Sequence, residues 1–289
     1  MKNLDYYLRL NVKWADRNTY LSLIQPNISG GRIKKQDIDK IKDFPDATGI
    51  SISGLTQDTF DYFIENYGHQ FKAIIFWKCP LVGDLTLLES LAHIEYIVYF
   101  WNQRAEKLWD FSKTKSLKGF SYDDFTRMYD ISEISKSPSL EELHFGDMIW
   151  DQYVLNTLHP IRECVSLKSL SFSAKKIIDQ KIEPISYLKK LEQLSFPTRL
   201  FTTEQVAWLK AHLPSTVTSK VLNAYWTVGK PLPMSGKNKD TFIVGKRKPF
   251  LDSIQDKVRI QKYVDQFNDM YQWYLENGEA LPEDYKKTV

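Results

Sequence analysis

Seven segments of this chain repeat one nine-residue phrase, and this repetition constrains the fold more than any other feature of the sequence. In each copy, apolar or aromatic residues occupy the first, fourth and sixth positions. The copies begin at Ala47, Phe71, Ile94, Leu117, Leu140, Leu167 and Leu191, so that neighbouring copies are 23 to 27 residues apart. A fixed period of this length predicts an array of similar units, each of which contacts its neighbours along the chain.

Each copy alternates in a way that predicts a β-strand. In the copy FKAIIFWKC, Ile74 and Phe76 alternate with Ile75 and Trp77. Side chains two residues apart on a strand lie on the same face of a sheet. The first pair is therefore expected in the interior, and the third, fifth and seventh positions of the phrase are expected on the opposite face.

Between the copies, apolar residues recur at steps of three and four, which is typical of one buried helix face. The segments with this spacing are 56–68, 84–92, 182–189 and 203–213. Thr56 before the first segment, and Thr202 with Gln205 before the last, are helix N-cap signals. Each unit is therefore a strand, a turn and a short helix or irregular return. Stacked units pair their strands into a parallel sheet, and the wider helices make the stack curve with the sheet inside.

The phrase and its period resemble those of the leucine-rich repeat family, in a degenerate, bacterial-type form that covers about residues 47–213. Asn or Cys, the usual residues at the ninth position, occur here as Asn102 and Cys79. Aromatic residues replace leucine at the sixth position of six copies: Phe76, Tyr99, Tyr122, Phe145, Phe172 and Phe196. The resemblance implies an α/β curved solenoid with a parallel sheet on the concave face, short helices on the convex face and capping extensions. An ordinary α/β domain with similar spacing is the alternative.

The ends of such an array need caps, because the terminal units would otherwise expose their core. We expect an N-terminal cap, about seven repeat units and a C-terminal cap over residues 1–46, 47–213 and 214–289. Residues 18–26 are expected to add a strand to the first cap. The last cap is expected to contain a flexible loop, a short strand and a long amphipathic helix at 229–239, 241–244 and 252–276.

Composition excludes few classes of protein. The net charge of +3 is too small to indicate nucleic-acid binding by the whole molecule. Two cysteines, Cys79 and Cys164, do not make a disulfide framework, so we expect reduced thiols and a cytoplasmic protein. The first residues lack the apolar core of a signal peptide, and no segment approaches the roughly 20 apolar residues of a membrane span.

The face opposite the core is the main candidate for function. Its second and third strands, with the residue that follows the third, carry an aromatic patch composed of Ile75, Trp77, Tyr96, Val98, Phe100 and Trp101. The next two strands carry an acidic strip composed of Asp123, Glu142 and His144, and a serine-rich floor follows. Exposed aromatic patches usually mark interaction sites, so we expect a protein partner of unknown identity on the concave face. Alternatively, the aromatic C-terminal segment folds back over the patch.

Two other functions remain open. Residues 230–262 contain nine Lys or Arg and three Asp, a net charge of +6. Lys246, Arg247 and Lys248 in this stretch could bind an anionic ligand or a nucleic acid. His144 beside Glu142 could act in general acid–base chemistry, as an enzyme or a regulatory subunit would require. The histidines lack metal-ligand spacing and no GxSxG motif is present. We therefore predict a non-enzymatic protein without catalytic residues, metal or cofactor.

Overall fold

The computed structural model describes residues 3–8, 19–147, 149–234 and 237–285. Within these ranges, eight strands form one parallel sheet. They are β1 (Tyr20–Leu23), β2 (Gly49–Ser53), β3 (Ala73–Trp77), β4 (Tyr96–Asn102), β5 (Gly119–Phe125), β6 (Glu142–Gly146), β8 (Ser169–Ser173) and β10 (Gln193–Ser195). Their order in the sheet is β1-β2-β3-β4-β5-β6-β8-β10. The pair β7 (Val154–Leu155) and β9 (Lys176–Ile177) forms a separate small parallel sheet.

The register of the main sheet places the repeat copies side by side. All seven predicted strands form, and the third residues of the seven copies pair across the sheet in one row: Gly49, Ala73, Tyr96, Gly119, Glu142, Ser169 and Gln193. The additional strand expected within 18–26 is β1, which pairs with β2 in the same register. The predicted α/β solenoid and its parallel sheet are therefore confirmed.

The aromatic residues at the sixth position form a ladder inside the solenoid. Phe145 is fully buried, and its ring stacks between Tyr122 and Phe172 at centroid distances of 5.7 and 5.4 Å. The ladder continues from Phe172 to Phe196 at 5.5 Å. These distances follow the spacing of neighbouring strands, about 4.8 Å, so that each unit adds one ring to the stack.

The ninth position of the third copy stabilises the turn that follows the strand. The buried Asn102 donates from Nδ2 to the carbonyl oxygens of Cys79 and Val82, at 3.2 and 2.8 Å. Its Oδ1 accepts from the backbone amides of Arg104 and Ala105, at 2.9 and 2.7 Å. Burial raises the pKa of the Cys79 thiol to about 12, so this cysteine has no reactive thiolate.

The segments that connect one strand to the next contain mostly short 3-10 helices. They are Asp39–Asp43, Gly68–Gln70, Thr86–Ser90, Ser132–Lys136, His159–Glu163 and Glu183–Tyr187. The α-helices are α1 (Leu4–Leu8), α2 (Lys35–Ile38), α3 (Gln57–Tyr67), α4 (Thr203–His212) and α5 (Lys257–Glu276). Capping boxes begin α3 at Thr56 and α4 at Thr202, as the sequence predicted. Among the helices described, none is long and apolar enough to cross a membrane.

The C-terminal segment differs from the prediction in two respects. The long helix begins at Lys257 and not at residue 252. Residues 229–234 and 237–239, expected as a loop, contribute to two antiparallel strands, β11 (Tyr225–Met234) and β12 (Lys237–Ile243), and β13 (Phe250–Leu251) pairs with β12. The ring of Trp226 stacks on that of Phe242, with centroids 4.9 Å apart, and holds β11 against β12. A bulge between Thr227 and Leu232 accommodates the Gly and Pro residues of β11. The predicted long helix is α5, and it packs against α4 at the end of the array.

Candidate functional site

The concave face is built from the third, fifth and seventh positions of each strand. The fifth-position row runs from Ser51 through Ile75, Val98, Ser121 and His144 to Ser171 and Ser195. Because the strands are in register, each row is a continuous line of side chains across the sheet. The apolar and polar parts of this face are therefore set by which repeat contributes each residue.

Helix α1 covers the middle of the aromatic patch. Leu4 and Tyr7 are buried against Ile75, Tyr96 and Val98, and these three patch residues are themselves buried. The rings of Tyr7 and Tyr96 lie 4.9 Å apart. The expectation that the whole patch is open to solvent is thus not met, because a segment of the same chain already removes its apolar area from water.

A glycine in the sheet makes room for this helix. A Cβ on Gly119 would lie 2.6 Å from the ring of Tyr96 and 3.3 Å from the Cβ of Leu4. The covering segment is at the N-terminal side of the array, whereas the alternative from the sequence named the aromatic C-terminal segment. That segment packs instead around α4, where Trp208 Nε1 donates to the carbonyl oxygen of Ala280 at 2.7 Å.

The remaining patch residues lie at the carboxyl ends of their strands. Trp77 stacks on Phe100 with centroids 4.5 Å apart, and Lys78 Nζ lies 5.6 Å from the centre of the Trp77 ring. Phe100 is buried, while Trp77 and Trp101 are partly exposed. The accessible part of the predicted patch is therefore the pair Trp77 and Trp101.

The residues of the acidic strip make two separate contacts, one between Asp123 and His144 and one between Glu142 and α1. Asp123 Oδ1 lies 3.1 Å from His144 Nε2, and Asp123 is buried whereas His144 is partly exposed. Glu142 does not join this pair, because both of its carboxylate oxygens accept the backbone amide of Leu4 at 3.2 Å. Within the described ranges, His144 has no hydrogen bond to a serine hydroxyl. The geometry therefore does not show an activated nucleophile.

Burial raises the pKa of Glu142. The amide of Leu4 acts in the opposite direction, because it stabilises the carboxylate, while the nearby charges of Glu141 and Asp5 reinforce the rise. The carboxyl group of Glu142, which accepts the first amide of α1, is consequently protonated more readily than that of an exposed glutamate.

Beside α1, the concave face forms an open groove of about 720 Å³. We call this the serine groove; its floor is composed of His144, Ser169, Ser171, Gln193 and Ser195. Helix α1 and Glu142 form one wall, and residues 218–221 close the opposite end. The sequence indicated a serine-rich floor here but did not predict that α1 would turn it into a groove.

The basic residues proposed to bind anions lie on the turn after β12. Lys246 Nζ donates to Gln180 Oε1 at 2.6 Å, and Lys248 Nζ lies 5.1 Å from the centre of the Tyr263 ring. Burial lowers the pKa of Lys246, and the nearby positive charges of Lys176 and Arg247 lower it further. Two of the three predicted side chains thus have partners within the protein, and anion binding stays a prediction.

A second cavity lies at the carboxyl ends of β4, β5 and β6, and the sequence did not predict it. This edge pocket has a volume of about 330 Å³, and Trp101, Asp124, Tyr129, Asp147 and Trp150 are among its lining residues. It joins the turns of three repeats with the loop that follows β6. Only Trp101 of this set was named in advance, and it was expected to belong to the concave face.

Comparisons with known proteins identify similar folds and no family. No family model matches the chain, and no curated protein matches it. Among solved structures, a leucine-rich-repeat protein of Leptospira interrogans is similar, with 14% identity and a TM-score of 0.43 over 75% of this chain and 51% of that one. An internalin of Listeria monocytogenes shows 11% identity and a TM-score of 0.40 over 64% and 62% of the two chains. The Toll–Spatzle complex of Drosophila contains a chain with 12% identity and a TM-score of 0.43, over 74% and 29%.

The architecture follows from the strand pairing: each copy of the phrase forms one strand, and a single parallel register runs through all seven copies. The fold is leucine-rich-repeat-like. The chain spans about half the length of the Leptospira protein. The concave face and its groove are the places where this solenoid offers a large, continuous surface of side chains.

Proposed function

We propose that this protein is a non-enzymatic, cytoplasmic binding module that holds a protein partner in the serine groove of its concave face. The observation that carries the proposal is the arrangement beside α1. The apolar part of the concave face already binds a helix, and the polar part next to it is an open groove of about 720 Å³. A surface that seats one segment of its own chain has the shape to seat a second segment from a partner.

The chemistry of the groove favours a partner that supplies polar groups. Each of Ser169, Ser171 and Ser195 carries a hydroxyl that both donates and accepts a hydrogen bond. Among the described residues, none of these three hydroxyls has a hydrogen bond within the protein, so a partner would replace water. The partly exposed His144 and the side chain of Lys220 add polar groups along the groove.

The aromatic patch contributes through its accessible residues. Trp77 is partly exposed, so a partner that extends beyond α1 would contact this ring. Ile75 and Val98 become available only when α1 leaves the sheet, because α1 covers them. The predicted contact through the whole patch therefore depends on whether the partner displaces α1.

The test compares two serine-to-arginine variants. Ser171→Arg fills the groove with a long charged side chain, whereas Ser90→Arg places the same side chain at an exposed position on the 3-10 helix Thr86–Ser90. Crosslinking in the native host, followed by calorimetry with the purified partner, should show binding for the wild type and Ser90→Arg. Binding to Ser171→Arg should be at least about tenfold weaker, the effect of about 1.4 kcal/mol.

Folding must be shown separately, by equal melting temperatures of the two variants. If a well-folded Ser171→Arg protein keeps the partner with unchanged affinity, the groove is not the binding site. Loss of that partner on Lys246→Ala with a steep dependence on salt would instead assign binding to the basic turn. A hydrolytic or transfer activity that disappears in His144→Ala would contradict the non-enzymatic function.

A further inference from the structure

The edge pocket is walled by aromatic rings that are open to solvent. Trp150 is 58% exposed and Tyr129 is 49% exposed, although both lie beside a cavity of about 330 Å³. Large exposed aromatic residues at the mouth of a pocket are unfavourable in water unless a ligand or partner covers them. Trp101 lines the same cavity from the end of β4. Three aromatic side chains from different repeats thus converge on one space.

The backbone holds two of the lining residues in a costly conformation. Trp101 and Asp124 have φ angles of 63° and 56°, in the left-handed region that glycine favours. They stand at the eighth position of consecutive copies, and the same position of the first two copies is Gly54 and Lys78, with φ of 73° and 55°. A non-glycine residue in this conformation costs about 1–3 kcal/mol. The conformation is therefore a feature of the repeat turn, and in the third and fourth copies the residues that adopt it, Trp101 and Asp124, line the pocket.

One buried carboxylate makes the floor of the pocket negative. Asp124 and Asp147 are both buried, and Asp147 accepts hydrogen bonds from the amides of Ile149 and Trp150, at 3.1 and 2.5 Å, and from those of Gln152 and Tyr153. Burial opposes ionisation of Asp147, but the hydrogen bonds that it accepts from the carboxyl group of Asp124 and from these amides outweigh that effect and lower its pKa to about 2. Because a carboxyl group donates only when it is protonated, the pair carries a single negative charge, on Asp147. Asp147 is therefore a carboxylate at neutral pH.

The described lining of this pocket carries no basic side chain. It contains two Asp and no Lys, Arg or His. Arg127, which follows the lining residue Thr126, is paired with Glu106 at 3.2 Å. Aromatic rings around a negative floor attract a cation through the ring quadrupole and through charge, and more strongly when the cation leaves water.

We propose that the edge pocket binds an organic cation, namely the guanidinium of an arginine side chain or an alkylated ammonium group. The aromatic side chains of Trp101, Tyr129 and Trp150 surround the cation, and Asp147 supplies the opposite charge. The site lies on the turns at the carboxyl edge, apart from the serine groove, so it does not depend on the function proposed above.

The experiment titrates the full-length protein with small probes by calorimetry. N-acetyl-arginine amide represents the guanidinium, and tetramethylammonium represents the alkylated ammonium group. N-acetyl-citrulline amide is the neutral match for the first probe, and N-acetylglucosamine tests whether the aromatic rings select a sugar instead. We expect saturable binding of at least one cation that weakens with salt, and no binding of the neutral probes. The cation that binds with the lower dissociation constant shows whether the ligand is a guanidinium or an alkylated ammonium group.

Variants assign the binding to the pocket. Trp150→Ala should weaken the cation about tenfold, the effect of one lost cation–π contact. The neighbouring Ile149 is equally exposed but does not line the pocket, so Ile149→Ala should leave the affinity unchanged. Asp147→Asn removes the charge at nearly constant shape and should weaken the binding of the cations alone, while Ser171→Arg should have no effect. Equal binding of the citrulline probe, preferential binding of the sugar, or no saturable cation binding by the wild-type protein overturns the proposal.

Discussion

Replacing Tyr7 by alanine should release α1 from the concave face and leave the sheet intact. Tyr7 is 7% exposed, and its ring lies 4.9 Å from that of Tyr96. The helix has only five residues, and helices of that length are not stable alone in water. Without its aromatic anchor the segment should therefore lose both its position and its helical structure. Ile75 and Val98, buried in the intact protein, would become exposed to solvent.

The size of the effect follows from the burial of the ring. Truncation of a buried aromatic side chain to alanine costs about 3–5 kcal/mol, of which the ring pair accounts for about 0.5–1.5 kcal/mol. The lower value applies here, because Tyr7 lies on a short peripheral helix. About 3 kcal/mol changes the ratio of docked to undocked α1 by a factor on the order of 100.

Hydrogen exchange measured by mass spectrometry tests this directly. Amides of residues 4–8 should exchange about 100-fold faster in Tyr7→Ala, while those of β3 and β4 keep their protection. Tyr187→Ala is the matched control, because Tyr187 is 49% exposed on the 3-10 helix Glu183–Tyr187. Unchanged protection at residues 4–8, or loss of protection throughout the sheet, would refute the view that α1 is a separately docked cover.

Three further outcomes are expected. Because burial raises the pKa of Glu142 above the ordinary 4.5 in the folded chain, the free energy of unfolding that this group contributes should be full below pH 4.5 and decrease as pH rises from there through the raised pKa, and Glu142→Gln should flatten that dependence in urea unfolding. Asp147→Asn should lower the free energy of unfolding at pH 7 by about 1–3 kcal/mol, and the difference should vanish as pH falls from 4 towards 2, where the wild-type carboxylate is protonated. Phe145→Ala should cost about 3–5 kcal/mol in urea unfolding, whereas Phe145→Leu should cost less than about 1.5 kcal/mol; equal costs would show that filled apolar volume is not the source of the stability.

The secondary structure of the repeats was predictable because its causes are local. Alternation such as that of Ile74 and Phe76 with Ile75 and Trp77 fixes which side chains face the core within a single strand. The period then fixes the pairing partner, since a shift by one residue would expose Phe76 to solvent. The capping box at Thr202 and Gln205 was readable for the same reason.

Elements outside the repeat were predicted less well. Residues 229–239 are rich in Gly, Pro and Lys, and these residue types favour loops when judged locally. Their strands exist because Trp226, Phe242 and Phe250 stack across three strands, with rings 4.9 and 4.1 Å apart. That stacking energy appears only when the strands come together, so no short window of sequence contains it.

The repeat pattern alone predicts the solenoid, its strand register and the side chains that each face of the sheet displays, because a short period with strict alternation leaves one way to bury the apolar residues. Which of those side chains remain accessible depends on contacts between distant segments. Leu4 reaches Glu142, 138 residues away, and thereby covers the patch that the sequence marked as open. Trp101, Asp124 and Trp150 meet at one pocket although they belong to different turns. Contacts between distant segments depend on geometry that a repeat pattern does not encode, and the candidate sites of this protein are made of such contacts.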